Sequence, residues 1–284
     1  MTDTPLQMTG PGAVRCGGYE LLREVAQGFY TTVYEARHPL PTLRGRPVAL
    51  KLLRQGIAAR HFMLAAQINA FLDHPRIPPL YEVGEAEGQL FTARKFVVGD
   101  DLQNGIGAAT RSLLDVTTLV SEVAGVLDYA HSRGVIHGFV HPRHILCGND
   151  GTAWLIGFGE YPPAEAMAFG NPLHLAPEQL DAWGAATPAS DVYALAETAL
   201  WLLSGRHPFS GLRHTELLAA KRTAEPRRQG QGSRPSVSSA VEKVLCQGIA
   251  AEPSERYATA GEFASALVSA GPLAGKSKRW WFWR

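Results

Sequence analysis

The side chains most able to do chemistry in this 284-residue chain gather in one stretch, Val135 to Glu160, which reads VIHGFVHPRHILCGNDGTAWLIGFGE. It holds three imidazoles, His137, His141 and His144, and closes on the carboxylate of Glu160. Three imidazoles could ligate a transition metal, but these lie on an irregular loop beside Pro142, and no acid or cysteine recurs at a matching interval. No metal site is expected there. Glu160 could serve as a metal ligand only if its loop rearranged, so the simpler expectation is a solvated or salt-bridged carboxylate, and Arg143 reads as a surface charge. Around them, an apolar lead-in (Val135, Ile136) precedes two apolar runs, Ile145 to Cys147 and Ala153 to Ile156, which flank the turn Gly148-Asn149-Asp150-Gly151. That spacing predicts a loop followed by a β-hairpin.

The elements that must position this stretch are legible on both sides of it. YELLREVA, TTVYEARH and RPVALKLL read as three strands, and LYEVGE and QLFTARKFVVG as two more joined at Ala86 to Gly88. Residues 112–133 carry apolar side chains at helical spacing and run into Gly134, read as the helix C-cap. Residues 1–18 have no periodicity and read as a flexible lead. A hydrophobic content of 45% is ample for a core, and a net charge of +1 gives no global attraction to nucleic acid. The three cysteines, Cys16, Cys147 and Cys246, have neither a paired nor a metal-ligand spacing and read as buried or incidental thiols of a reducing compartment. The N-terminus lacks the blocks of a secretory signal and no apolar run reaches membrane-spanning length, so a cytoplasmic location is expected.

Taken in order, these pieces resemble the eukaryotic-type protein kinases, and LAPEQL, SDVYALA and LLSGRHPF look most like the bacterial Ser/Thr members. The resemblance implies an α+β, two-lobed fold: a small β-rich lobe over about 19–98, a larger helical lobe over about 99–270, and a tail at 271–284. It places Lys51 of Val48-Ala49-Leu50-Lys51 where the family's lysine meets the α- and β-phosphates of ATP. Ala49 lies on the same strand, and Val33 stands where the family has valine. Of the three loop glycines that cradle phosphate, only Gly28 remains, beside Ala26 and Thr31, and Gly28 reads equally as a hairpin turn residue. The glutamate that steadies the lysine falls on Ala65, with no Asp or Glu between Gln55 and Leu72 and only a neutral hydrogen bond on offer from Gln67. At the back of the adenine pocket the resemblance puts Arg94, expected either to pair with a buried acid or to swing into that pocket.

Against the family's His-Arg-Asp, Asn and Asp-Phe-Gly, His137, Phe158 and Gly159 match. Gly138 replaces the Arg, Phe139 the catalytic Asp, His144 the Asn and Gly157 the metal-binding Asp. Phosphoryl transfer needs an acceptor for the substrate proton and oxygen ligands for Mg²⁺, which Phe, His and Gly do not supply. Residues 157–178 contain no Ser or Thr, and Asn171 stands for a substrate-orienting threonine, so the phosphorylation switch is missing as well. Scaffold residues are all present: Glu178 of Ala-Pro-Glu with its partner Arg256, and Asp191, which anchors the catalytic-loop backbone in the family. The expectation is a pseudokinase acting as a scaffold or regulator of protein partners, an active kinase or a membrane-associated complex among them. The alternatives are a sensor that binds ATP through Lys51 without Mg²⁺, and an atypical kinase with relocated acids. The tail, KSKRWWFWR, with Arg279, Trp280, Trp281, Phe282 and Trp283, is expected to dock on a membrane surface or a partner groove, or to fold back on the large lobe. Nucleic acid is not an expected partner.

Overall fold

The computed structural model describes residues 14–28, 30–40, 46–54, 59–106, 112–160, 172–181, 186–205, 207–223 and 238–271. The expectations for residues 1–13, for 161–171 with Asn171, and for the tail 272–284 with Arg279 to Trp283 lie outside them. Two compact units divide at Val98 and Gly99.

Among the described residues, the first unit is a six-stranded sheet with one helix. The strands are β1 (Arg15–Cys16), β2 (Tyr19–Gln27), β3 (Thr31–Arg37), β4 (Pro47–Leu53), β5 (Leu80–Ala86) and β6 (Gln89–Lys95), in the order β1-β2-β3-β4-β6-β5. Alternation decides which face is buried: Val48, Leu50 and Leu52 of β4 point into the core, while Ala49 and Lys51 lie half-buried on the other face. The core gathers Cys16, Tyr19, Ala36, Phe91 and Ala93 around them. Residues 14–18, read from composition as part of a flexible lead, are built into the sheet instead. Residues 15–16 pair with 19–20, Leu21 N donates to Val14 O, and Cys16 is buried. Gly17 permits this because its φ is +56° and a Cβ there would lie 2.6 Å from the Phe91 ring. Helix α1 (Ala59–Phe71) buries Phe62, Ala65, Ala66 and Asn69, the stripe expected of an amphipathic helix.

The second unit is mostly helical, with a small sheet of β7 (Gly99–Asp101), β8 (Ile145–Gly148) and β9 (Ala153–Leu155). Its helices are α2 (Leu102–Ile106), α3 (Leu113–His131), α4 (Pro177–Asp181), α5 (Pro188–Ser204), α6 (His214–Arg222), α7 (Ser239–Gly248) and α8 (Ala260–Ala270). Helix α3 starts at the N-cap Ser112 and ends two residues earlier than its glycine implied: Ser132 is the C-cap, and Gly134 follows at φ +73° as the chain turns away. Helix α5 is capped by the Thr187 and Ser190 box and closes on left-handed Gly205. It is buried continuously from Ser190 to Ala199, as befits the helix at the centre of this unit. Asp128 of α3 accepts from the first amides of α8, Ala260 and Gly261, at 3.0 and 2.9 Å. The three cysteines are free, and Cys246 is exposed rather than buried. Among the described residues no helix is long and apolar enough to cross a membrane.

Candidate functional site

The loop entering the β8–β9 hairpin hangs from one carboxylate. Asp191 is fully buried in the first turn of α5 and accepts from the backbone amides of His137 at 2.9 Å and Gly138 at 2.6 Å, while His131 Nε2 contacts it at 2.7 Å. Gly138, at φ +69°, makes the turn, and its carbonyl accepts from Gln179 Nε2 at 2.7 Å. His137 is wholly buried. Its Nε2 donates to the Ile156 carbonyl at 2.8 Å, which leaves Nδ1 to accept from Phe139 N at 3.2 Å, and its ring packs 4.6 Å from Phe158. Burial lowers the His137 pKa, outweighing the opposing pull of Asp191.

At the three positions where phosphoryl transfer would require acids or an amide, rings and a bare backbone meet. Phe139 packs on His141 at 4.6 Å and on His144 at 5.6 Å. His144 Nδ1 donates to the Phe139 carbonyl at 2.9 Å, and the imidazole then lies over Gly157. A Cβ on Gly157 would come within 2.6 Å of Nδ1 and Cε1 of His144, and the backbone there has φ +91°. No side chain fits at 157 while His144 keeps this position. Glu160 is half-buried beside this loop, Arg143 is exposed, and Gly159 makes a second left-handed turn at φ +73°.

The scaffold pair is of a different kind. Arg256 and Glu178 meet through two parallel bonds, Nη1 to Oε1 at 2.7 Å and Nη2 to Oε2 at 2.8 Å. The remaining guanidinium hydrogens go to the carbonyls of Ala189, Ala250 and Ala251, and Ser190 Oγ donates to Glu178 at 2.8 Å. Burial alone would raise the Glu178 carboxyl, but Arg256 overrides it and holds the group below the usual carboxylate range.

Within the first unit, the candidate nucleotide residues lie on adjacent strands, with Val33 opposite Lys51 and Ala49 opposite Arg94 in the ladders. Gly28 is a turn residue whose amide donates to Thr31 O at 2.8 Å, so that N–H closes the β2–β3 hairpin. Ala65 is buried, whereas Gln67, the neutral substitute considered for the missing glutamate, is exposed on α1. Arg94 has one partner that its residue type did not point to. Its Nη1 donates to the amide oxygen of Asn69 on α1 at 3.2 Å, a neutral partner four residues beyond Ala65 that sequence reasoning did not name.

A second group went unnoticed in the sequence. Glu197, fully buried in α5, contacts Lys221 Nζ of α6 at 2.6 Å, and His174 and His207 face its other oxygen at 3.5 and 3.2 Å. Burial would raise the Glu197 carboxyl, but Lys221 and the two imidazoles more than reverse it, so the carboxylate is held well below its usual range. Burial pushes His174 down to about 4. The available signal was a lone glutamate inside the apolar run YALAETALWLL.

Comparison with known proteins gives three kinds of match. The protein kinase domain family matches residues 19–267. The serine/threonine-protein kinase PknJ of Mycobacterium tuberculosis is 32% identical over 267 residues, covering 89% of this chain and 45% of that protein. PknE of the same species is 30% identical over 279 residues, covering 92% of this chain and 48% of its own length. The chain thus spans about half the length of these curated relatives. Among solved structures, the kinase domain of Mycobacterium tuberculosis PknI superposes with a TM-score of 0.69 at 29% identity, over 93% of this chain and all of that domain.

Proposed function

We propose that this chain, which belongs to the protein kinase family and has the protein kinase fold, is a pseudokinase: a catalytically inactive member that works as a regulatory or scaffolding protein-interaction module. One observation carries the reading. The His144 imidazole occupies the space over Gly157, so the metal-binding carboxylate of the family is missing and its place is filled. Phe139, ring-packed between His141 and His144, offers no acceptor for a substrate proton. An electrostatic mechanism without its acids has lost the groups that neutralise the β- and γ-phosphates. Partners are proteins, and the basic aromatic tail favours a membrane-associated one.

A second reading, an ATP sensor that works without Mg²⁺, is favoured by Lys51, which β4 holds half-buried on the face opposite the core. Thermal unfolding of the full chain with ATP, in EDTA and then in Mg²⁺, separates the two, with Lys51→Ala as control and a phosphotransfer assay alongside. The scaffold reading expects no phosphotransfer and no shift in either condition. Ligand at about 100 times its dissociation constant adds about 2.7 kcal/mol of stability. Such a gain in EDTA, lost in Lys51→Ala, would establish the sensor. Phosphotransfer that requires Mg²⁺ would overturn the pseudokinase reading in favour of a kinase with relocated acids.

A further inference from the structure

The group around Glu197 has no role in phosphoryl transfer and lies outside the loop just described. Its three inward atoms, His174 Nδ1, Glu197 Oε2 and His207 Nε2, all lie within 4.8 Å of one another. Each is shielded from solvent and, among the described residues, the only polar contacts of the three are with one another, at 3.2 and 3.5 Å and without good hydrogen-bond alignment. Buried polar atoms so poorly satisfied are costly, and three that converge on one point form a set that one shared cation would satisfy. The other carboxylate oxygen is already engaged: Glu197 Oε1 accepts from Lys221 Nζ at 2.6 Å. The ammonium itself is held between the rings of Tyr193 and Phe209, at 4.7 and 4.8 Å.

From these atoms we propose that His174, Glu197 and His207 form a transition-metal site that takes a Zn²⁺-class divalent ion. Two imidazoles and one carboxylate are the donor set of such ions, and too rich in nitrogen for Mg²⁺ or Ca²⁺. Bonds of about 2.0–2.1 Å in a tetrahedron place neighbouring ligand atoms about 3.3 Å apart. The two separations from Glu197 Oε2, 3.2 Å to His207 and 3.5 Å to His174, bracket that edge. Lys221 supplies the outer hydrogen bond that orients a ligating carboxylate. Three protein ligands leave a fourth position for water or a donor from a partner. The His137, His141 and His144 trio shares one irregular loop beside Pro142, with no acid or cysteine at a matching interval. This set draws on the turn at Pro172–His174, on α5 and on the turn that follows α5, so the ion would tie those three segments together just ahead of Glu178.

The test uses the untagged full chain, stripped with EDTA and titrated with Zn²⁺ by calorimetry and by thermal unfolding. The expected result is one Zn²⁺ per chain with a raised unfolding temperature. His174→Gln and His207→Gln should each weaken binding by about 100-fold or more. His61→Gln, which removes an exposed imidazole of α1, should bind as the parent does. Failure of the parent to take up Zn²⁺, or equal binding in both ligand variants, overturns the site. Should either variant fail to fold, Co²⁺ bound to the parent decides. Intense visible absorption of a four-coordinate ion upholds the site, and the pale spectrum of a six-coordinate ion overturns it.

Discussion

Around Glu178, Asp191 and Arg256 the second unit buries charges, and each of these charges has bonds to its neighbours. Around Phe139, His144 and Gly157, in the same unit, it packs half-buried rings against a bare backbone. The first region holds segments together that are distant in sequence, Glu178 and Arg256 being separated by 78 positions. The second fills space locally. The difference teaches that in this chain the scaffold charges do the tying together: Asp191 anchors the start of the loop through the amides of His137 and Gly138, and neither bond involves the side chain at 139 or 157.

That contrast can be broken by mutation, and the largest effect should come from Arg256→Ala. It leaves the Glu178 carboxylate without its cation and should cost about 3–5 kcal/mol in urea unfolding of the full chain. A loss below 1 kcal/mol would remove the distinction between the regions. Next is Gly157→Asp, the apparent repair of the metal site. Left-handed backbone disfavours a side chain by about 1–2 kcal/mol, and overlap with the His144 ring adds to that. We expect a loss of about 2 kcal/mol or more with no gain of Mg²⁺-dependent ATP stabilisation. Adding His144→Asn should recover part of the loss, because the two residues compete for one space.

A pH series sharpens the comparison further. His137 has a folded-state pKa below its ordinary value, so as the pH falls through about 6.5 the unfolded chain takes up the proton first. Asp191 and Glu160 pull the other way, while burial and His131 oppose protonation. Stability should therefore be fully present above pH 6.5 and decline below it, by at most about 1.4 kcal/mol per pH unit from this group. His137→Gln should remove this group's share of the decline, leaving the shares of His141 and His174, which burial also lowers, and a parent profile that rises on acidification would refute the assignment. Smallest of all should be Phe139→Asp, which replaces a half-buried ring in edge contact with two imidazoles. A cost of about 1 kcal/mol or less is expected, without phosphotransfer, since the metal ligands at 144 and 157 are still absent.

Much of the fold was legible because its signals are local. Alternation in VALKLL and the turn residues of GNDG are read from neighbours along the chain, and the structure places β4, β8 and β9 where those patterns put them. Residues 14–18 escaped because a two-residue strand has no period to read, and its pairing is decided by the Phe91 face it covers. Residue type alone also determined what positions 139, 144 and 157 cannot supply, since Phe and Gly carry no acid in any fold. Only the tertiary structure decided that His144 fills the space over Gly157, that Arg94 bonds Asn69, and that His174, Glu197, His207 and Lys221 converge. Those outcomes depend on the directions in which packed elements aim side chains far apart in sequence, and no spacing along the chain encodes them.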